Sequence, residues 1–319
     1  MTDTSIKKLF GSLWDDVSEG TPPPDKWPLL AHYTSIKNLE SILTSGEIWL
    51  SHPRSMNDTS EQRFGFEKFA AFINCDQTLE ESFASRDKFL KFLSKFAEYY
   101  YRLGKGLFDD YYYFCLSEHD QYNEDGLLSM WRGYGANGLG VAIVFDPKKA
   151  PKDDNSNIIF DKVKYPNDIY LDKWCNDIIK KFSDIIKNNN LGKDDKEISE
   201  LVNIIFHRIR VASLYAKHTG FSEEREWRLS CHIDNKSLPN ASTNHAYIIR
   251  EDGIFPKLKN KIFGENQKFE DLIEMIIVGP TSASIMTKTA LEIMLRDIKK
   301  ESLIPKIKLS SIPFRSPKN

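Results

Sequence analysis

Two short stretches of this chain hold residue types suited to chemistry. In the first, Leu29 and Leu30 run into His32, Tyr33 and Thr34, and Ser35 follows. A histidine at the end of an apolar strand, with a hydroxyl residue and a helix next, puts a hydrogen-bonding ring where core side chains belong. The second stretch is FSEEREWRLSCHI, residues 221–233. Taken as a strand, it places Trp227, Leu229, Cys231 and Ile233 on one face and Glu224, Glu226 and Arg228 on the other. The apolar face belongs in the core, so the charged face is expected to look into solvent or a cleft. The two carboxylates would then have Cβ atoms roughly 7 Å apart, near enough for coupled titration. The competing reading is an edge strand with cross-strand ion pairs.

Other signatures of chemistry are absent. There is no HExxH, Walker A loop or GxSxG elbow. Gly135, Gly138 and Gly140 precede a strand instead of opening a helix, so they read as a turn and not as a dinucleotide-binding loop. The seven histidines show no metal-ligand spacing, and no metal is expected.

The elements that must position these residues follow from periodicity. Residues 29–51 read as strand, helix, glycine stop and second strand. Ser35 caps the helix, Ile36, Leu39, Ile42 and Leu43 share one face, and Gly46 ends it. Residues 61–102 are helical, with phenylalanines at three-to-four spacing that read as core. Residues 111–117 form an aromatic strand, 127–134 a short helix, and 141–145 a strand apolar enough for burial on both faces. Helices are expected near 167–186 and 197–218, with KNNNLGKDDK as a solvated link. Strands return at 158–165, 225–233, 245–250, 274–278 and 306–309, and a helix at 284–296. The expected fold is α+β: an N-terminal arm, residues 1–28, then one domain, 29–319, with helical insertions near 61–103 and 167–218.

A chain of 319 residues can bury a large core. Its net charge of −2 gives no general reason to bind nucleic acid. No apolar run approaches the roughly 20 residues that span a bilayer, so no membrane partner is expected. The N-terminus lacks the apolar stretch of a signal peptide, and the four cysteines are scattered without disulfide spacing. A cytoplasmic location is the expectation.

Together, the motifs carry a resemblance. HYTSIKNLESILTSGEIWLS is similar to the opening of the DNA-modifying DarT-type ADP-ribosyltransferases. The wider layout resembles the uncharacterised bacterial family DUF2971. Its pieces here are His32-Tyr33-Thr34, Asn57-Asp58 to Glu61, Met130-Trp131 to Tyr134, Glu224 to Arg228, and Val278-Gly279-Pro280. The order of a histidine strand, an aromatic or serine strand and a late glutamate strand resembles the ADP-ribosyltransferase superfamily.

That resemblance implies a split mixed β-sheet and a transferase using NAD as substrate. It also implies a macromolecular acceptor, nucleic acid or protein, and the setting of a bacterial toxin or phage-defence effector with an antitoxin or regulator. Glu226 would be the carboxylate beneath the nicotinamide ribose, and Glu224 would position or deprotonate the acceptor. His32 would bind a ribose hydroxyl, with Tyr33, Thr34, Asn57, Ser117 and Arg228 around the cofactor. Arg54 would meet a pyrophosphate oxygen, while Tyr112, Trp131 or Tyr134 would stack on nicotinamide.

Each role has a structural competitor. Tyr112 and Trp131 suit a core, Arg54 a solvated loop, and Asn57-Asp58 an Asx turn. A buried His32 could be satisfied by a carbonyl, and His52 reads as structural or exposed. Two departures stand out. Tyr33 occupies a place where many such transferases have glycine, so its side chain must point away. The middle tyrosine motif is not recognisable, which leaves the stacking residue unassigned. The alternative function is a non-catalytic ligand-sensing or protein-binding module on the same fold.

Overall fold

The structure is a computed structural model that describes residues 3–17, 22–55, 59–103, 106, 108–150, 158–233, 245–250, 253–260 and 268–314. The chain is α+β. Its strands are β1 (Leu29–Thr34), β2 (Ile48–Ser51), β3 (Tyr111–His119), β4 (Val141–Phe145), β5 (Ile158–Lys162), β6 (Glu226–His232), β7 (His245–Arg250), β8 (Gly253–Asn260), β9 (Ile273–Val278) and β10 (Ile307–Leu309). Its α-helices are α1 (Asp3–Leu9), α2 (Ile36–Ser45), α3 (Thr59–Cys75), α4 (Gln77–Ser82), α5 (Arg86–Leu103), α6 (Leu128–Gly133), α7 (Asp168–Asn188), α8 (Asp195–Leu214) and α9 (Ser284–Asp297). No helix among the described residues is long and apolar enough to cross a membrane.

The chain divides into two compact units. One comprises Met1–Thr21, Met56–Tyr111 and Asp161–Ser222; the other comprises Pro22–Ser55, Tyr112–Phe160 and Glu223–Asn319.

The first unit is helical. The stretch read as helical over 61–102 is three helices, and Asp76 marks the first break, capping α4 by accepting from Leu79 N at 2.7 Å. The phenylalanine stripe is core: Phe66 stacks with Phe96 and Tyr100, and Phe206 meets it edge-on at 5.0 Å. The segment expected as an arm is built into this unit. Ile6, Phe10 and Leu13 are buried, and Phe10 lies 5.3 Å from Phe182. Asp16 then receives both Arg208 Nη2, at 2.6 Å, and Trp174 Nε1, at 2.6 Å. Spacing of i, i+4 and i+7 gives the apolar anchors, but the charge partner lies in α8 and has no local signature.

The second unit is a mixed sheet in the order β10-β9-β4-β1-β3-β2-β8-β7, with β6 on β3 and β5 on β6. β9 and β10 are parallel, while β1 is antiparallel to both β3 and β4. All of β4 is buried between β1 and β9, as its apolar run requires. On one face, Leu39 and Leu43 of α2 and Leu291 and Leu295 of α9 pack with Leu30, Phe114 and Trp227. On the other, Met130 and Trp131 of α6 cover Ala31, Tyr33, Ala142 and Val144. Ser35 caps α2 through Asn38 N at 3.2 Å, and Gly46 closes it at φ +65.

The glycine-rich turn before β4 is a packing device. A Cβ on Gly140 would sit 2.1 Å from the Thr34 carbonyl oxygen, so only glycine lets this turn approach the end of β1.

The position of β3 creates the geometry that matters. Its end pairs with β1, Ala31 opposite Ser117, while its beginning pairs with β2 on the same edge, Ser51 opposite Tyr113. β1 and β2 therefore part company beside Cys115, and the sheet forks there.

Candidate functional site

His32 stands at this fork. Its Nδ1 lies 3.0 Å from the Cys115 carbonyl oxygen, an acceptor that ladder pairing leaves to a side chain. A carbonyl can only accept, so Nδ1 carries the proton and Nε2 presents its lone pair. Burial, opposed by that backbone bond and helped by Lys257, lowers the His32 pKa to about 4. The ring is neutral at physiological pH. It packs 4.2 Å from the Phe114 ring.

Strand alternation assigns the other residues to faces. Leu30 pairs with Glu118, and Trp227 Nε1 donates to Glu118 Oε1 at 3.0 Å. Leu30, His32, Phe114, Glu118 and Trp227 therefore share one face. Ser117 donates to the Glu224 carbonyl at 2.6 Å, and the Arg228 guanidinium lies over the Tyr113 ring at 5.1 Å. Tyr113, Cys115, Ser117, Glu226 and Arg228 thus occupy the opposite face. His32 and Glu226, which the sequence pattern joined, lie on opposite faces at the fork. Cys115 connects them: its carbonyl meets His32, and alternation puts its side chain on the face of Glu226 and Arg228.

Of the two settings expected for the charged face of β6, solvent or a cleft, open solvent is not what the structure shows. Glu226 and Arg228 are only 4% and 5% exposed. Arg228 Nε donates to Glu226 Oε1 at 2.6 Å, and Nη2 donates to Oε2 at 3.1 Å. Burial would lower the Arg228 pKa, but the Glu226 carboxylate holds it well above its ordinary value. This mutual neutralisation, with an aromatic face beneath, lets both charges leave water. The strand is also no edge, since β6 lies between β3 and β5.

Glu224 does not share that strand. It ends the 3₁₀ turn Thr219–Glu224, and Arg225, at φ +42, reverses the chain before β6 begins. The Glu224 carboxylate nevertheless reaches the same site. It accepts from Tyr134 Oη at 3.0 Å, and Ser117 fixes its backbone carbonyl. Burial and the neighbouring Glu224 carboxylate push the Tyr134 pKa far up, so the phenol remains a donor. Tyr134 and Ser117 therefore act on Glu224.

The remaining candidates are placed as follows. Tyr33 points away from the His32 face, as its position requires; its hydroxyl accepts from Leu127 N at 2.9 Å and its ring meets Trp131 edge-on. Burial raises its pKa to about 12. Trp131 is fully buried and its Nε1 donates to the Asp125 carbonyl, so it is core and has no open face for a ligand. Thr34 is buried and accepts from Asn38 Nδ2 at 2.8 Å. Arg54 is exposed on the turn Pro53–Ser55, and its backbone N–H donates to a buried His52. Tyr112 is buried in the core, its ring 5.3 Å from that of His52. Asn57 lies outside the described residues.

Tyr113 and Cys115 escaped the sequence reading, although period two along β3 places them with Ser117. Among the described residues, no group of three or more His, Cys, Asp or Glu side chains could hold a metal ion.

Residues 130–229 match the family model described as "Protein of unknown function (DUF2971)", which supports the resemblance to DUF2971 over the stretch from α6 to the Glu226–Arg228 pair. No curated protein and no solved structure matches the chain.

Proposed function

We propose that the chain is a NAD-dependent ADP-ribosyltransferase of the split-sheet type, acting on a macromolecular acceptor. What carries the reading is the adjacency of three motif strands. The histidine strand β1, the serine strand β3 and the glutamate strand β6 are consecutive neighbours, with the fork at His32. NAD would enter at the fork.

Glu226 would stabilise the positive charge that develops on the ribose as the bond to nicotinamide breaks, a kind of interaction worth a few kcal/mol. Arg228 would hold that carboxylate ionised and oriented. His32 Nε2 would accept a hydrogen bond from a ribose hydroxyl. The acceptor atom would form the new bond to ribose C1′ and pass its proton to Glu224. The toxin or phage-defence setting and an antitoxin partner rest on likeness of motif alone.

The test is incubation with NAD and a cell lysate, read by mass spectrometry. An acceptor gaining one ADP-ribosyl unit supports the reading, while free ADP-ribose with no adduct makes water the acceptor. A second reading has its own observation. Glu226 is already engaged by Arg228 and His32 by Cys115, as suits a binding module without catalysis. That reading requires NAD binding, or none, with no nicotinamide released.

A further inference from the structure

Helix α9 is apolar on two sides: one is buried in the sheet unit and the other is exposed. Leu291 and Leu295 belong to the core with Leu303 and Ile307. On the opposite side Ile285, Met286 and Ile293 are 75%, 73% and 53% exposed. Helical spacing puts these three on one stripe, with the exposed Thr289 and Ala290 at its middle. Single exposed apolar side chains are ordinary, whereas a continuous stripe with a charged rim marks a contact surface.

The rim is Lys288 and Glu292 along one flank, with Arg296 and Asp297 at the C-terminal end. Lys288 and Glu292 are half-buried, and their side chains make no ion pair among the described residues. Thr289 Oγ1 donates to the Ile285 carbonyl at 3.2 Å, so the hydroxyl needs no partner from outside the helix.

These positions complement themselves. An antiparallel copy of α9, related by a two-fold axis near Thr289 and Ala290, sets Ile285 and Met286 against Ile293 of the second copy. The small side chains at the crossing let the two helices approach closely. Such an axis brings each flank against its own counterpart, so Lys288 meets Glu292 of the second copy, and the pair forms twice.

We propose that α9 is the surface through which two copies of this chain associate, antiparallel, about a two-fold axis. The 14-residue helix is about 21 Å long and offers less than the roughly 800 Å² per partner of a standard interface. The dimer is therefore weak and reversible, in the micromolar range.

The test is sedimentation velocity of the full chain from about 1 to about 200 μM. Wild type is expected to pass from monomer to dimer over that range. Ile293→Lys, checked for folding by circular dichroism, should weaken association about tenfold or more, because it buries an unpaired charge at the contact. Lys288→Glu and Glu292→Lys should each weaken it about threefold or more, since each sets like charges across the axis. An equimolar mixture of those two variants should recover wild-type association, because the exchanged charges then face each other. Mixing would not rescue a variant that merely misfolds.

A chain that stays monomeric at about 200 μM would overturn the proposal, as would a dimer untouched by Ile293→Lys. Flotation of a monomeric wild type with phosphatidylcholine vesicles, lost in Ile293→Lys, would assign the stripe to a lipid surface instead.

Discussion

Each unit buries an arginine–carboxylate pair, and the two pairs do different work. In the helical unit Arg208 grips Asp16, 192 residues away in the chain, and donates also to the Leu13 carbonyl. In the sheet unit Arg228 grips Glu226, two residues away on one strand. Taking two charges out of water costs several kcal/mol, and their attraction repays this only with good geometry. The first pair closes a long loop and fixes the N-terminal segment. The second closes no loop, so folding alone gives little reason to bury it. A carboxylate held ionised in a dry setting is what charge stabilisation at a reacting centre requires.

The largest expected effect is in the helical unit. Arg208→Met leaves the Asp16 carboxylate buried with only the neutral Trp174 donor and removes the donor to the Leu13 carbonyl, and should cost about 3–5 kcal/mol in urea unfolding. Replacing Asp16 with Leu as well should not restore stability, because Trp174 Nε1 would still lack its acceptor.

In the sheet unit the paired replacement Glu226→Leu with Arg228→Met should leave stability within about 1 kcal/mol of wild type, or raise it. A loss of about 3 kcal/mol or more would make this pair a structural tie like the first.

Acidification should separate the two regions. The folded-state pKa of His32 is lowered to about 4, so the unfolded chain binds that proton first. The stability linked to His32 is complete above about 6.5 and is lost as pH falls toward 4. Burial pushes the Asp16 pKa up, but Arg208 and the Trp174 donor hold it below the ordinary carboxylate value. Its contribution is present above the unfolded value of about 3.9 and lost only below that. Unfolding free energy measured against pH should therefore have a shallower slope between 6.5 and 4 in His32→Gln, the remainder coming from His119, whose pKa burial also lowers, and should keep the acid limb below.

The smallest effect is Tyr134→Phe, which removes one half-exposed hydrogen bond to Glu224 and should cost about 0.5–1.5 kcal/mol or less. A thermal midpoint unchanged within error, with acceptor modification reduced, would separate positioning from stability.

Elements with strong periodicity were legible in the sequence, and elements defined by partners were not. The capped α2, the fully apolar β4 and the β7 strand stand where spacing puts them. β8 was missed because Pro256 interrupts its run, a residue that usually argues against an interior strand. The fork at Cys115 depends on the register of three strands, which alternation within one strand cannot reveal. It is also why His32 and Glu226 fall on different faces. Arg225 was overlooked for a local reason: an arginine gives no hint of a left-handed backbone, as glycine or asparagine would. Asp16 and Arg208 carry no pairwise signal at their separation.

The most direct test of the central claim is nicotinamide release from NAD by the purified chain, wild type beside Glu226→Gln, with circular dichroism confirming equal folding. The account predicts release by wild type and a loss of about a hundredfold or more in the variant, the usual size for removing a charge-stabilising group. Equal release by both proteins, or none by wild type, would contradict it.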